Sequence, residues 1–114
     1  MRVPGRPRFA DVINAQLDLY LEQNVDLLGR VDAAKQIYDR AKRPDSEEAY
    51  GTYMDAVEEA EDALLELRDH YAETMAARER RRYEREFSRA AERILPTLHA
   101  RRHYLRAIDP DSTT

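Results

Sequence analysis

Residues 9–42 read FADVINAQLDLYLEQNVDLLGRVDAAKQIYDRAK. Apolar residues recur in this stretch every three or four positions, which is the spacing of one face of an α-helix. In heptad notation the a positions are Ala10, Leu17, Asn24, Val31 and Tyr38, and the d positions are Ile13, Tyr20, Leu27, Ala34 and Ala41. Five heptads pass without a proline, so the stretch predicts one long helix that packs its apolar face against other helices.

A second helix is predicted over residues 46–77. Pro44 ends the first helix because it disfavours the helical conformation at Arg43, and Asp45 or Ser46 can cap the next helix. The heptad pattern then continues, and its outer positions are acidic. These outer positions are Asp55, Glu59, Asp62, Glu66, Asp69 and Glu73.

The heptad frame fails at residues 78–82, where arginines replace the apolar positions, and a new frame starts at Tyr83. The chain can turn there and form a third helix over residues 80–108, kinked at Pro96, or continue as one very long second helix. Residues 44–75 hold eleven acids and one base, a net charge of −10, and residues 76–106 hold ten arginines and four acids, a net charge of +6. A turn lays these opposite charges side by side, which favours the third helix.

The predicted fold is therefore all-α. We expect an elongated up-down-up three-helix bundle with coiled-coil-like heptads, assembled into an oligomer; the alternative is a two-helix hairpin with a very long second helix. Residues 1–8 are expected to form a flexible basic arm, residues 9–108 a single helical domain, and residues 109–114 a disordered tail.

The composition excludes several classes of protein. Of the 114 residues none is cysteine, which rules out disulfides, thiolate metal sites and cysteine nucleophiles. No stretch approaches the roughly 18 consecutive apolar residues of a membrane span, and the start lacks the apolar core of a signal peptide. These observations predict a cytoplasmic protein.

The heptads also predict an assembly interface and a partner-binding patch. Asn24 at a central a position is typical of a residue that fixes helix register, because a buried amide needs a polar partner. Arg101, Arg102 and Arg106 form a basic patch suited to an acidic protein partner or to the acidic helix of a second copy. The residues predicted for assembly are Leu17, Tyr20, Asn24, Leu27, Val31, Leu64, Leu67 and Tyr71.

Metal and cofactor sites are not expected. Glu66, His70 and Glu73 follow one another at i, i+4 and i+7, a spacing that can place ligands on one helix face, and they are the weak candidates. The Glu-x-x-His motif of carboxylate-bridged di-iron bundles does not occur before any of the three histidines.

Residues 17–48 resemble the first two helices of the all-helical chorismate mutases. The stretch Leu17–Asn24 is similar to that family's leucine-rich run, Lys35 falls at its substrate-binding lysine and Glu48 at its catalytic glutamate. Asn24 and Glu47 stand where the family has the arginines that hold the substrate's carboxylates. The resemblance implies a degenerate enzyme of that class at most.

We therefore expect a non-enzymatic helical module that self-associates and presents a charged helix face to a protein partner. One alternative is a small helical-bundle enzyme or metal-binding protein. Another is a nucleic-acid-associated regulator, because the arginine-rich run 78–89 can contact phosphates. Three acids, Glu79, Glu84 and Glu86, interrupt that run, and the chain carries a net charge of −4, which makes nucleic acid the less favoured partner.

Overall fold

The computed structural model describes residues 8–96, and its regular elements are all helices. They are α1 (Ala10–Gln23), α2 (Val25–Arg40), α3 (Ser46–Ala72) and α4 (Ala77–Ile94). The predicted all-α class is confirmed. The predicted arm, the part of the third helix beyond residue 96 and the predicted tail lie almost entirely outside the described residues.

The first predicted helix is divided in two at Asn24. Asn24 has φ −120° and ψ 29°, outside the helical region, and its Nδ2 donates a 2.9 Å hydrogen bond to the carbonyl oxygen of Tyr20. The backbone N–H of Asn24 also donates to this carbonyl, at 3.0 Å, so the Tyr20 oxygen accepts two hydrogen bonds at the point where the regular helix is interrupted. The heptad spacing does not change at Asn24 and so did not indicate this division. The prediction of one continuous helix over residues 9–42 was therefore wrong.

Helices α2 and α3 form an antiparallel hairpin. Arg30 pairs with Glu59 at 3.1 Å, and the ring of Tyr38 stacks on that of Tyr53 with centroids 6.0 Å apart. The connection contains Pro44, preceded by a cis peptide bond. Asp45 occupies the N-cap position of α3 but makes no side-chain capping hydrogen bond, so the capping contact expected at this end is absent.

The chain turns between α3 and α4 instead of continuing as one long helix. Ala76 is extended, with φ −65° and ψ 152°, and no glycine or proline marks the turn. Arg80 reaches back across it and donates hydrogen bonds from Nε to the carbonyl of Ala72 (3.1 Å) and from Nη2 to that of Glu73 (3.5 Å). Ala72 is the last residue of α3, and its carbonyl also accepts the backbone N–H of Met75 at 3.0 Å. Glu73 follows it as the C-cap, so the Arg80 guanidinium adds hydrogen bonds at the C-terminal end of the helix.

The core lies where α1, α3 and α4 meet, and Tyr83 is at its centre. The Tyr83 ring contacts Phe9 from α1's start, Tyr71 from α3 and Phe87 from α4, with centroid distances of 5.6, 5.1 and 5.8 Å. Its hydroxyl donates to Oε1 of Gln16 at 2.8 Å. The other buried members of this cluster are Ile13, Leu17, Tyr20, Val31, Val57, Ala60, Leu64, Ala72, Ala90 and Ala91.

Candidate interaction surface

Four of the residues predicted for assembly lie in the core of a single chain. Leu17 is fully buried, and Tyr20, Val31 and Leu64 are at most 6% exposed. The Tyr20 hydroxyl also donates a 2.6 Å hydrogen bond to the carbonyl of Ala60 on α3. These four side chains therefore pack between helices of one chain and are not part of its surface.

The remaining four residues of that set are more accessible. Asn24, Leu27 and Leu67 are half-buried, and Tyr71 is 38% exposed. The amide of Asn24 bonds to its own helix, as described above, and so acts at the division between α1 and α2. The sequence could not show which apolar residues are used within a chain, because the same heptad serves internal and external packing.

Helix α4 presents a row of exposed arginines opposite its core face. The members are spaced by three or four residues, which places them on one side of a helix. We call this row the arginine stripe, and it consists of Arg78, Arg82, Arg85, Arg89 and Arg93, all exposed. Fifteen residues at 1.5 Å each give it a length of about 22 Å.

Most of the arginine stripe has no counter-ion in the part of the chain that the structure describes. Arg82 pairs with Glu86 on the same helix, Nε to Oε2 at 3.1 Å. Within residues 8–96, the other four members form no ion pair. A set of aligned, unpaired guanidinium groups is a surface suited to carboxylates or phosphates.

Helix α3 carries the complementary surface. The acidic stripe consists of the six outer positions noted in the sequence, Asp55, Glu59, Asp62, Glu66, Asp69 and Glu73, all of which are exposed in the structure. It runs for about 27 Å along the side of α3 opposite Val57 and Leu64. In the described part of the chain, Asp55, Asp62 and Glu66 make no ion pair.

The two stripes do not neutralise each other within one chain. Between α3 and α4 the ion pair has the reverse polarity, with Arg68 of α3 at 4.0 Å from Glu84 of α4. Both helices turn their apolar sides inward, so the acidic and arginine stripes face outward. The sequence predicted that opposite charges would lie side by side, with a turn within residues 78–82. The three- and four-residue spacing of the arginines was the signal that locates this surface.

A groove of about 490 Å³ lies at the closed end of the α2–α3 hairpin. Ala34, Ala49 and Thr52 form part of its wall, with Ile37, which is 62% exposed, beside them. Arg40, Asp45 and Glu48 provide its charged groups. The groove is mostly apolar and open.

The structure does not bring together the two residues that resemble chorismate mutase site residues. Glu48 lines the α2–α3 groove, whereas Lys35 lines a separate cavity of about 170 Å³ near Leu95 and Pro96. Nζ of Lys35 donates a 2.9 Å hydrogen bond to Asp39, and this bond raises the pKa of Lys35. Glu48 and Lys35 therefore face different cavities.

The weak metal candidates are solvent-exposed. Nδ1 of His70 lies 3.9 Å from Oε2 of Glu73, and their side chains are 85% and 72% exposed. Among residues 8–96, no group of three or more histidine, aspartate or glutamate side chains is arranged to hold a metal ion. The predicted partner-binding residues Arg101, Arg102 and Arg106 lie outside the described residues.

Comparison with known proteins gives no relative: no family model, no curated protein and no solved structure matches this chain. Across the described helices, none combines the length and the apolar character that crossing a bilayer requires. The features that bear on function are therefore the arginine stripe of α4 and the acidic stripe of α3.

Proposed function

We propose that this chain is a non-enzymatic helical interaction module that self-associates and presents a charged helix face to a protein partner. The arginine stripe of α4 carries the proposal, because it is exposed, aligned and largely without counter-ions in the described part of the chain. A cytoplasmic location, an oligomeric state and an up-down-up arrangement of the helices remain predictions of the sequence.

An acidic protein surface suits the arginine stripe better than nucleic acid does. The chain as a whole carries a net charge of −4, so its long-range field does not attract a polyanion. The acidic stripe on the adjacent helix α3 would further repel a phosphate backbone that extends beyond α4. A carboxylate-bearing helix of limited length meets the guanidinium groups without that penalty.

Exposed apolar side chains support self-association. Leu19, Val25 and Ile37 are 43%, 65% and 62% exposed, and Ile37 borders the open groove. Single exposed apolar residues are ordinary on protein surfaces, but those beside a groove gain burial when a second chain docks. The charged groups on the two chains then determine which surface of one copy binds to which surface of the other.

Sedimentation velocity of the full chain at low and high micromolar concentration tests the proposal. We expect the mean mass to rise above that of one chain, 13.4 kDa, as concentration increases. A single-chain mass at every concentration in low-salt buffer would overturn self-association.

Titration with labelled duplex DNA tests the alternative partner. We expect no binding at physiological salt. Tight binding that Arg85→Glu/Arg89→Glu abolishes would replace the protein partner with nucleic acid.

A further inference from the structure

We propose that the arginine stripe of α4 docks onto the acidic stripe of α3 in a second copy of this chain. The inference rests on the proposed function, whose acidic partner it identifies. It follows from three properties of the two stripes: their opposite charge, their matching geometry and the absence of pairing between them within one chain.

The stripes match in length and spacing. Arg78, Arg82, Arg85 and Arg89 follow one another at intervals of four, three and four residues, and the acidic stripe has the same intervals from Asp55 to Glu66. The arginine stripe extends for about 22 Å along α4, and the acidic stripe extends for about 27 Å along α3 to its C-cap Glu73. Two helices placed side by side therefore bring successive arginines opposite successive carboxylates.

The charge of each stripe remains available in the single chain. The members Asp55, Asp62 and Glu66 of one stripe, and Arg85 and Arg89 of the other, form no ion pair among residues 8–96. The ion pair between α3 and α4 is made by Arg68 and Glu84 instead. Since one molecule carries both surfaces, two copies related by a two-fold axis can form the contact twice.

A doubled contact explains how exposed ion pairs can hold two chains together. One exposed pair contributes little, because solvent screens it and both side chains lose freedom. When several arginine–carboxylate pairs lie in a row, one ordered side chain can serve two neighbouring pairs, so less side-chain freedom is lost for each pair. The two-fold axis then repeats the whole row of pairs. The contact is expected to weaken as salt is added, because screening at high ionic strength acts on exposed charges first.

Charge-swap variants test this pairing by sedimentation equilibrium. The basic-face variant is Arg85→Glu/Arg89→Glu, and the acidic-face variant is Asp62→Arg/Glu66→Arg. We expect each variant alone to self-associate at least about tenfold more weakly than the unmodified chain, because like charges then face each other. We expect an equimolar mixture of the two variants to associate again, since both contacts of the mixed dimer join opposite charges.

Two control variants change the net charge equally but elsewhere. Lys42→Glu/Arg43→Glu at the hairpin connection matches the basic-face variant, and Asp18→Arg/Glu22→Arg on α1 matches the acidic-face variant. Both controls are expected to associate as the unmodified chain does. Circular dichroism melts check that all variants fold.

The outcomes separate the two proposals. If the unmodified chain associates and both face variants do so equally well, the stripe pairing is overturned and self-association stands. If only the basic-face variant is impaired, or if the mixture does not recover, the arginine stripe meets another surface and the pairing is again overturned. A chain that is monomeric under all conditions removes the proposed self-association and this pairing together.

Discussion

Two buried tyrosines show what the sequence specifies at single residues and what it omits. Tyr20 and Tyr83 occupy d positions of the two heptad frames, and both are at most 2% exposed. Their burial could be predicted, because the apolar spacing identifies the core face. The partners of their hydroxyls, the Ala60 carbonyl and Gln16, could not, because these pairs join positions 40 and 67 residues apart.

Replacing Tyr20 with phenylalanine tests its buried hydrogen bond. Loss of the 2.6 Å bond to the Ala60 carbonyl should lower the free energy of unfolding by about 1 kcal/mol, the usual net value of such a bond. Urea unfolding followed by circular dichroism measures the change. Tyr50→Phe, at a 38% exposed tyrosine, is the matched control and should be neutral. Equal stability of the two variants would show that the bond contributes nothing.

The same phenols make stability depend on pH at the alkaline end. Burial raises the pKa of Tyr20 to about 12, and burial likewise raises the pKa of Tyr83 to about 12. In the unfolded chain they ionise near pH 10. Their contribution to stability is therefore complete below pH 10 and is lost as the pH rises from 10 to 12, because only the unfolded state releases protons there.

Absorbance of tyrosinate measures this dependence. We expect two of the seven tyrosines to ionise last, together with the loss of helical circular dichroism. Ionisation of all tyrosines near pH 10 with the helices intact would contradict the assignment.

At the scale of elements, periodicity located the helices and their core faces better than their ends. The buried positions Val57, Leu64 and Phe87 follow from the heptads, and the connection between the first and second predicted helices follows from Pro44. The heptads did not indicate the division at Asn24, and they placed the turn between the second and third helices at residues 78–82, whereas in the structure α3 ends at Ala72 and α4 begins at Ala77. At each of these two places one side chain donates a hydrogen bond to a helix carbonyl, Asn24 to that of Tyr20 and Arg80 to that of Ala72, and apolar spacing carries no information about such bonds.

Arg80 provides a test of how α3 ends. Arg80→Met keeps much of the apolar stem but removes both donors to the Ala72 and Glu73 carbonyls, so stability should fall by about 1 kcal/mol. Urea unfolding gives the value. Arg81→Met, at the exposed neighbouring position, should change stability by much less. Matching losses in both variants would indicate a general charge effect and not a cap.

For the whole molecule, the principal feature is the separation of charge onto two outward helix faces. The sequence predicted acidic and basic segments, and the helical register places the acids of α3 opposite Val57 and Leu64. The sequence could not show that the acidic and arginine stripes form no ion pairs with each other in one chain. That depends on how α4 packs back onto the core around Tyr83. This arrangement leaves complementary charge for a second chain.

Paramagnetic relaxation between copies tests that arrangement most directly. Because the chain has no cysteine, Arg81→Cys places a single spin label beside the arginine stripe. The labelled chain is unenriched and is mixed with ¹⁵N-enriched unmodified chain, so that broadening reports only contacts between copies. We predict selective broadening of amide signals from α3 between Asp55 and Glu73, and its disappearance at high salt. Broadening that is confined to α1, or absent at concentrations where the chain associates, would contradict the account.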